Sequence, residues 1–103
     1  MKKRIMFLLI VLTLSIQTQA QQLQVLSAPD FKELMNDIYF VNTNVGWMAG
    51  AKGYIYKTTD GGNNWTELTS GVTDNLAKVF FINENTGWVG TLAGAVLKTT
   101  DGG

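Results

Sequence analysis

Cysteine and histidine are both missing from this 103-residue chain, proline occurs once, and Arg4 is its single arginine. Without cysteine there can be no disulfide, so stability has to come from packing. Without histidine the commonest general base and the commonest zinc ligand are gone. Charge is sparse too. Eight basic residues balance eight acidic ones, with no basic cluster beyond Lys2, Lys3 and Arg4, whereas nucleic acid and anionic membrane surfaces select concentrated lysine and arginine. With one proline and 11 glycines, little interrupts a strand and much favours tight turns.

The N-terminus is laid out for export. Lys2, Lys3 and Arg4 precede an apolar run from Ile5 to Ile16 broken only by Thr13 and Ser15, after which Gln17 to Ala20 turn polar and small. This is the order of a secretory signal peptide. The run is shorter than the roughly 20 apolar residues that span a bilayer, so residues 1–20 read as a signal cleaved after Ala20, leaving no stable membrane span. Loss of Lys2, Lys3 and Arg4 leaves five basic against eight acidic residues, a net charge of −3. The expected location is periplasmic, cell-surface or secreted. Residues 21–36 form an N-terminal strand and connector, with a short strand expected at Leu23 to Leu26 and one helical turn at Asp30 to Met35.

The rest is organised by KTTDGGNNW at Lys57 to Trp65, which returns as KTTDGG at Lys98 to Gly103 with a spacing of 41 residues. Self-similarity at that period marks stacked supersecondary units, none able to bury its apolar faces alone. Two glycines after an aspartate supply the positive φ of a tight turn, and the Asp60 carboxylate can accept backbone N–H groups within it. Trp65 follows and can fold its ring over the hairpin base. Asn36 to Gly62 aligns with Ala77 to Gly103 without a gap, and Phe40, Asn42, Asn44, Gly46, Trp47, Gly53 and Lys57 recur identically. Four strands are expected per unit: Asp37 to Val41, Gly46 to Gly50, Tyr54 to Thr58 and Trp65 to Leu68. The second unit repeats the first three at Lys78 to Ile82, Gly87 to Thr91 and Ala95 to Thr99.

Both faces of these strands are apolar. Ile38 and Phe40 point one way and Tyr39 and Val41 the other, and Val79 and Phe81 stand likewise against Phe80 and Ile82. A sandwich sheet usually keeps one wet face, whereas a propeller blade is packed between two neighbours. The fold class is therefore all-β, with β-propeller blades as four-stranded antiparallel repeats. Residues 37–76 form the first blade and 77–103 a truncated second. The expected repeat core is Ile38, Phe40, Trp47 and Ile55, with Val79, Phe81, Trp88 and Val96. Propellers need about four to eight blades, so the chain is expected to be the N-terminal part of a longer ring.

Thr58, Asp60, Gly62 and Trp65, with Thr99, Asp101 and Gly103 in the second copy, match the Asp-box (BNR) pattern and resemble sialidase-like propellers. The whole run from Asp37 to Trp65 is similar to the blade repeat of the photosystem II stability and assembly factor-like family, matching at Ile38, Phe40, Gly46, Trp47, Gly50, Gly53, Ile55, Thr58, Asp60, Gly61, Gly62 and Trp65, with Thr91 departing from the second glycine. That resemblance implies a seven-bladed secreted or periplasmic scaffold.

Reaction chemistry is thin. Trp47 and Trp88 suit sugar stacking, but repetition at a fixed blade position points to core packing. Asp60 and Asp101 share one turn context, which favours a structural role over acid–base work. Asp60 to Asn64 lacks the alternating carboxylates of a calcium loop, and Gly46 to Gly53 lacks the Gly-Lys-Ser/Thr of a phosphate loop. No cofactor motif is present. Glu33, Glu67, Asp74 and Glu84 are candidate acids outside the Asp-box turns, and Asp74 lies in the connector between blades. Two functions remain: a non-catalytic exported propeller presenting loops to a protein or surface glycan, and the front of an Asp-box glycoside hydrolase with its carboxylates in later blades.

Overall fold

A computed structural model describes residues 23–24 and 30–103. The expected export signal with Ala20 lies outside the described residues, as do Val25 and Leu26 of the strand expected at Leu23 to Leu26; Leu23 and Gln24 are exposed and not in a strand. The fold is all-β. Among the described residues seven strands follow in order: β1 (Met35–Phe40), β2 (Gly46–Gly50), β3 (Ile55–Thr58), β4 (Thr66–Leu68), β5 (Leu76–Phe81), β6 (Gly87–Thr91) and β7 (Val96–Thr99). They make two antiparallel sheets, β1-β2-β3-β4 and β5-β6-β7. Each sheet is one blade, and β5 lies against β1 and β2 so that the blades pack face to face.

Asparagine sets the first turn of each blade. The Asn42 Oδ1 accepts the N–H groups of Asn44 at 2.9 Å and Val45 at 2.8 Å, and Asn83 does the same for Asn85 and Thr86. The second asparagine of each turn works through its backbone. The carbonyl of Asn44 accepts the N–H of Gly61, and that of Asn85 accepts the N–H of Gly102. The repeated Asn-x-Asn thus ties the β1–β2 turn to the Asp-box turn beside it. Glycine follows for a different reason: Gly46 stands opposite Phe40 and Gly87 opposite Phe81 across the strand pair, and each phenyl ring lies over its glycine where a Cβ would otherwise sit.

The start of β1 corrects the expected helical turn at Asp30 to Met35. Bends occupy that stretch, and the strand begins at Met35. Met35 pairs with Gly50 and Asp37 with Ala49, leaving Asn36 as the extra residue of a β-bulge; Leu76 and Lys78 repeat this around Ala77. Extended backbone wins because the Leu34 carbonyl accepts the N–H of Ala51, as Asn75 accepts that of Leu92. A helical turn would break that link between connector and blade.

Each blade has a back face and a forward face. On the first blade's forward face Trp47, Ala49 and Ile55 meet Val79, Phe81 and Val89 from the back face of the second, with Leu76 at their edge. Trp47 is fully buried. Its indole stacks on Phe81 with ring centroids 3.4 Å apart and planes 1° from parallel, and its Nε1–H donates to the Gly102 carbonyl at 3.1 Å. Of the eight residues expected in the core, Trp47, Ile55, Val79 and Phe81 are buried in this one interface, and Phe40 and Trp88 are half-buried. Ile38 and Val96 are not core in this structure, at 51% and 70% exposed. They are the counterparts of Val79 and Ile55, but they lie on the first blade's back face and the second blade's forward face, which no other blade covers among the described residues.

Candidate functional site

Successive strands reverse direction, so each blade has two ends with different chemistry. One end carries the β1–β2 turn and the Asp-box turn. The other carries the β2–β3 turn and the connector that leads from blade to blade.

The Asp-box end is a closed set of internal hydrogen bonds. Thr58, buried, accepts the Gly62 N–H at 2.9 Å and donates its hydroxyl to Asp60 Oδ1 at 2.8 Å. Asp60 also accepts the Asn64 N–H at 2.9 Å and the Asn64 side-chain amide at 2.7 Å. Gly61 and Gly62 take φ of 73° and 92°, open only to residues without a Cβ at little cost. The Trp65 Nε1–H donates to the Gly62 carbonyl at 2.9 Å, and its ring meets Phe31 and Phe40 edge-on. In the second copy the Thr99 hydroxyl donates to Asp101, and the Gly103 N–H reaches both side chains. Asp60 uses both oxygens to hold its own turn, and Asp101 uses its Oδ1.

Those bonds set the acid response. The Asn64 side chain above all, then the Asn64 N–H and Thr58, hold Asp60 below the usual aspartate range, and the Thr99 hydroxyl and Gly103 N–H do so for Asp101. A depressed folded value means that the stabilisation is complete above the unfolded value near about pH 4 and is lost as pH falls through the folded one. The denaturation midpoint should therefore hold steady at neutral pH and fall in strong acid. Asp60→Asn should flatten that fall. A wild-type midpoint insensitive to acid would contradict this reading of the turns.

The connector end is where the repeats differ. Lys52 adopts φ 56°, the one positive φ outside glycine among the described residues. Its N–H donates to Asn75 Oδ1 at 3.0 Å, and its ammonium pairs with Glu33 at 2.8 Å. The Glu33 contact raises the Lys52 ammonium above its ordinary value. Lys52, Glu33 and Asn75 correspond to Ala93, Asp74 and Leu34 at the period of 41, so this arrangement belongs to one site and not to the blade plan. Beside it an open groove runs along Tyr54, Glu67 and Thr69 to Thr73. Its floor is fixed by the Ser70 hydroxyl, which donates to the Gly53 carbonyl at 2.7 Å. Glu67, on its wall, forms an ion pair with Lys32 at 3.1 Å.

The four candidate acids outside the Asp-box turns are not brought together. Glu33 pairs with Lys52, Glu67 with Lys32, and Glu84 accepts the Asn42 amide at 3.0 Å, while Asp74 stands exposed on the connector. Among the described residues no three acids converge as a metal site would need. A more enclosed cleft of about 180 Å³ lies between the blades, walled by Leu68, Leu76, Phe81, Val89 and Leu97. Its lining is mixed: Thr69, Ser70, Lys98, Thr99 and Asp101 make the polar side, and the apolar side is continuous with the inter-blade core. Lys52 escaped the sequence reading because its signal is a backbone angle, which a lysine code does not announce.

The family described as Photosynthesis system II assembly factor YCF48 matches over residues 15–103. A solved structure of YCF48 bound to D1 peptide superposes with a TM-score of 0.63 at 28% identity, covering 72% of this chain. The chain spans about a quarter of that structure, 25% of its length. No curated protein matches. With the family match taking in both repeats and most of the sequence, the chain belongs to the photosynthesis system II assembly factor YCF48 family of β-propeller proteins.

Proposed function

We propose that this chain is part of an exported, non-catalytic propeller scaffold that presents the connector end of its blades to an extended peptide segment of a protein partner. The observation that carries the reading is Lys52, held at φ 56° by Glu33 and Asn75 on the end where the repeats diverge. Left-handed backbone at a non-glycine residue is kept where surroundings enforce it, often at binding sites. The open groove beside it offers backbone and hydroxyl partners together with the Tyr54 ring, a mixture suited to a main chain with one apolar side chain. A bound peptide on the YCF48 structure supports the ligand class. Export rests on Lys2 to Arg4 and the apolar run after them. The non-catalytic reading is supported by Glu33, Glu67 and Glu84, which each serve a separate internal partner, and by Asp74 standing apart from them on the connector.

The test separates binding from stability. The purified chain is screened against a display library of short unstructured peptides, and Lys52→Gly is compared with wild type on the strongest binder. Glycine takes this φ without strain, so the denaturation midpoint should not fall, while affinity should drop at least about tenfold, a loss of roughly 1.4 kcal/mol in binding. Unchanged affinity with a lower midpoint would make Lys52 a structural residue only and would remove the site.

A further inference from the structure

The connector of the second blade repeats one half of an ion pair. In the first blade the Leu34 carbonyl accepts the Ala51 N–H at 2.9 Å, and in the second the Asn75 carbonyl accepts the Leu92 N–H at 2.9 Å. Glu33 and Asp74, one residue earlier in each connector, therefore hold the same place beside the β2–β3 turn and the β6–β7 turn. Glu33 meets the Lys52 ammonium there at 2.8 Å. At the period of 41 the counterpart of Lys52 is Ala93, so the second blade keeps the carboxylate and has a methyl group where the first has the cation. Lys32 and Lys52 are spent on Glu67 and Glu33, and among the described residues Asp74 takes part in no ion pair.

Asp74 is exposed with both of its flanking blades in place. It lies in the middle of the structure, on the connector from β4 to β5, and the next residue touches the turns on either side. The Asn75 carbonyl holds the Leu92 N–H, and the Asn75 side chain accepts the Lys52 N–H at 3.0 Å. Asp74 also continues the open groove, whose wall runs through Thr69 to Thr73. A main chain lying in that groove passes the Asp74 carboxylate as it leaves toward the second blade.

We propose that Asp74 receives a lysine or arginine side chain of the bound peptide, in the place that Lys52 takes toward Glu33; this rests on the peptide-binding reading of the groove given above. The carboxylate accepts a charge-assisted hydrogen bond from the ammonium or guanidinium, and the aliphatic stem lies along Ala93, as such stems do on apolar surface. An acidic residue at the same point of the peptide meets a like charge and is disfavoured. Exposed ion pairs contribute little, so the groove supplies most of the affinity and Asp74 chooses among peptides.

The experiment is a display screen of short unstructured peptides on the whole chain, followed by titration of the strongest binder. Lysine or arginine should recur at one position among the binders. Replacing that residue by glutamine should weaken binding about three- to fivefold, as for an exposed ion pair. Asp74→Asn should weaken the original peptide by the same factor, and the two changes together should cost no more than either alone, because they remove one contact. Ala93→Lys should reproduce the loss by supplying the cation from within the chain, while Ala93→Gln leaves affinity unchanged. Both positions are exposed, so the denaturation midpoint should stay constant in every variant. Binders that carry no basic residue, or losses that add in the double change, would overturn this proposal and leave the groove reading standing. A chain that binds no peptide at all would overturn both.

Discussion

Replacing Trp47 by alanine should cost about 3–5 kcal/mol, the range for removing a fully buried large aromatic. Three losses combine. The ring leaves a cavity at the centre of the inter-blade core, the stack on Phe81 disappears, and the Gly102 carbonyl loses its donor inside the protein. An 11.3 kDa chain has a total stability in the region of 5–15 kcal/mol at most, so the variant should be largely unfolded at mild denaturant concentrations. Trp88→Ala provides the internal control. It is the same residue in the same strand position but half-buried, with no blade beyond it in the structure, so its cost should be clearly smaller. Denaturation midpoints that fall equally for the two variants would show that the neighbouring blade contributes little to burial of Trp47.

Gly87→Ala should be the second most damaging of the substitutions considered, at roughly 1–3 kcal/mol, the usual cost of overpacking a filled core. A methyl group there runs into the Phe81 ring, and Phe81 cannot retreat because Trp47 lies flat against its other side. Gly90→Ala, three residues along the same strand, meets nothing within 4 Å. That change should be neutral or slightly stabilising, by up to about 1 kcal/mol, since alanine suits a strand interior better than glycine. The pair distinguishes a glycine required by its neighbour from one that is tolerated. Equal effects on thermal midpoint would refute the explanation given for the repeated Gly-Trp.

What was legible in the sequence is what repeats. Phe40 with Gly46 and Phe81 with Gly87, the paired asparagines and the Thr-x-Asp-x-Gly turn occur twice at a fixed spacing, and such coincidences arise when every blade solves the same packing problem. The four-strand order and the β-propeller class followed from them. What was not legible came from context. Ile38 and Val79 have similar chemistry, yet one is half-exposed and the other buried, because burial depends on the blade next door and not on the residue. The bulges at Asn36 and Ala77 were missed because a bulge needs no special residue. A helical turn is expected at Asp30 to Met35, and the hydrogen bond from Ala51, far along the chain, to the Leu34 carbonyl decides otherwise.

The same contrast separates the two ends of the blades. Repeated residues spend their polar groups on one another: Thr58, Asp60 and Asn64 leave no acceptor aimed at a ligand. Unrepeated residues gather at Lys52, Glu33 and Asn75 beside an open groove. A binding role assigned to the connector end stands or falls on where a ligand lands. The most direct measurement is amide hydrogen exchange of the whole chain with and without the strongest peptide from the library screen. Slowed exchange should appear at Ala51 to Tyr54 and Thr69 to Asn75, with the amides of Gly61 to Asn64 unchanged. Slowing confined to Gly61 to Asn64 and the Asn42 to Val45 turn would place the ligand on the Asp-box end and contradict the account.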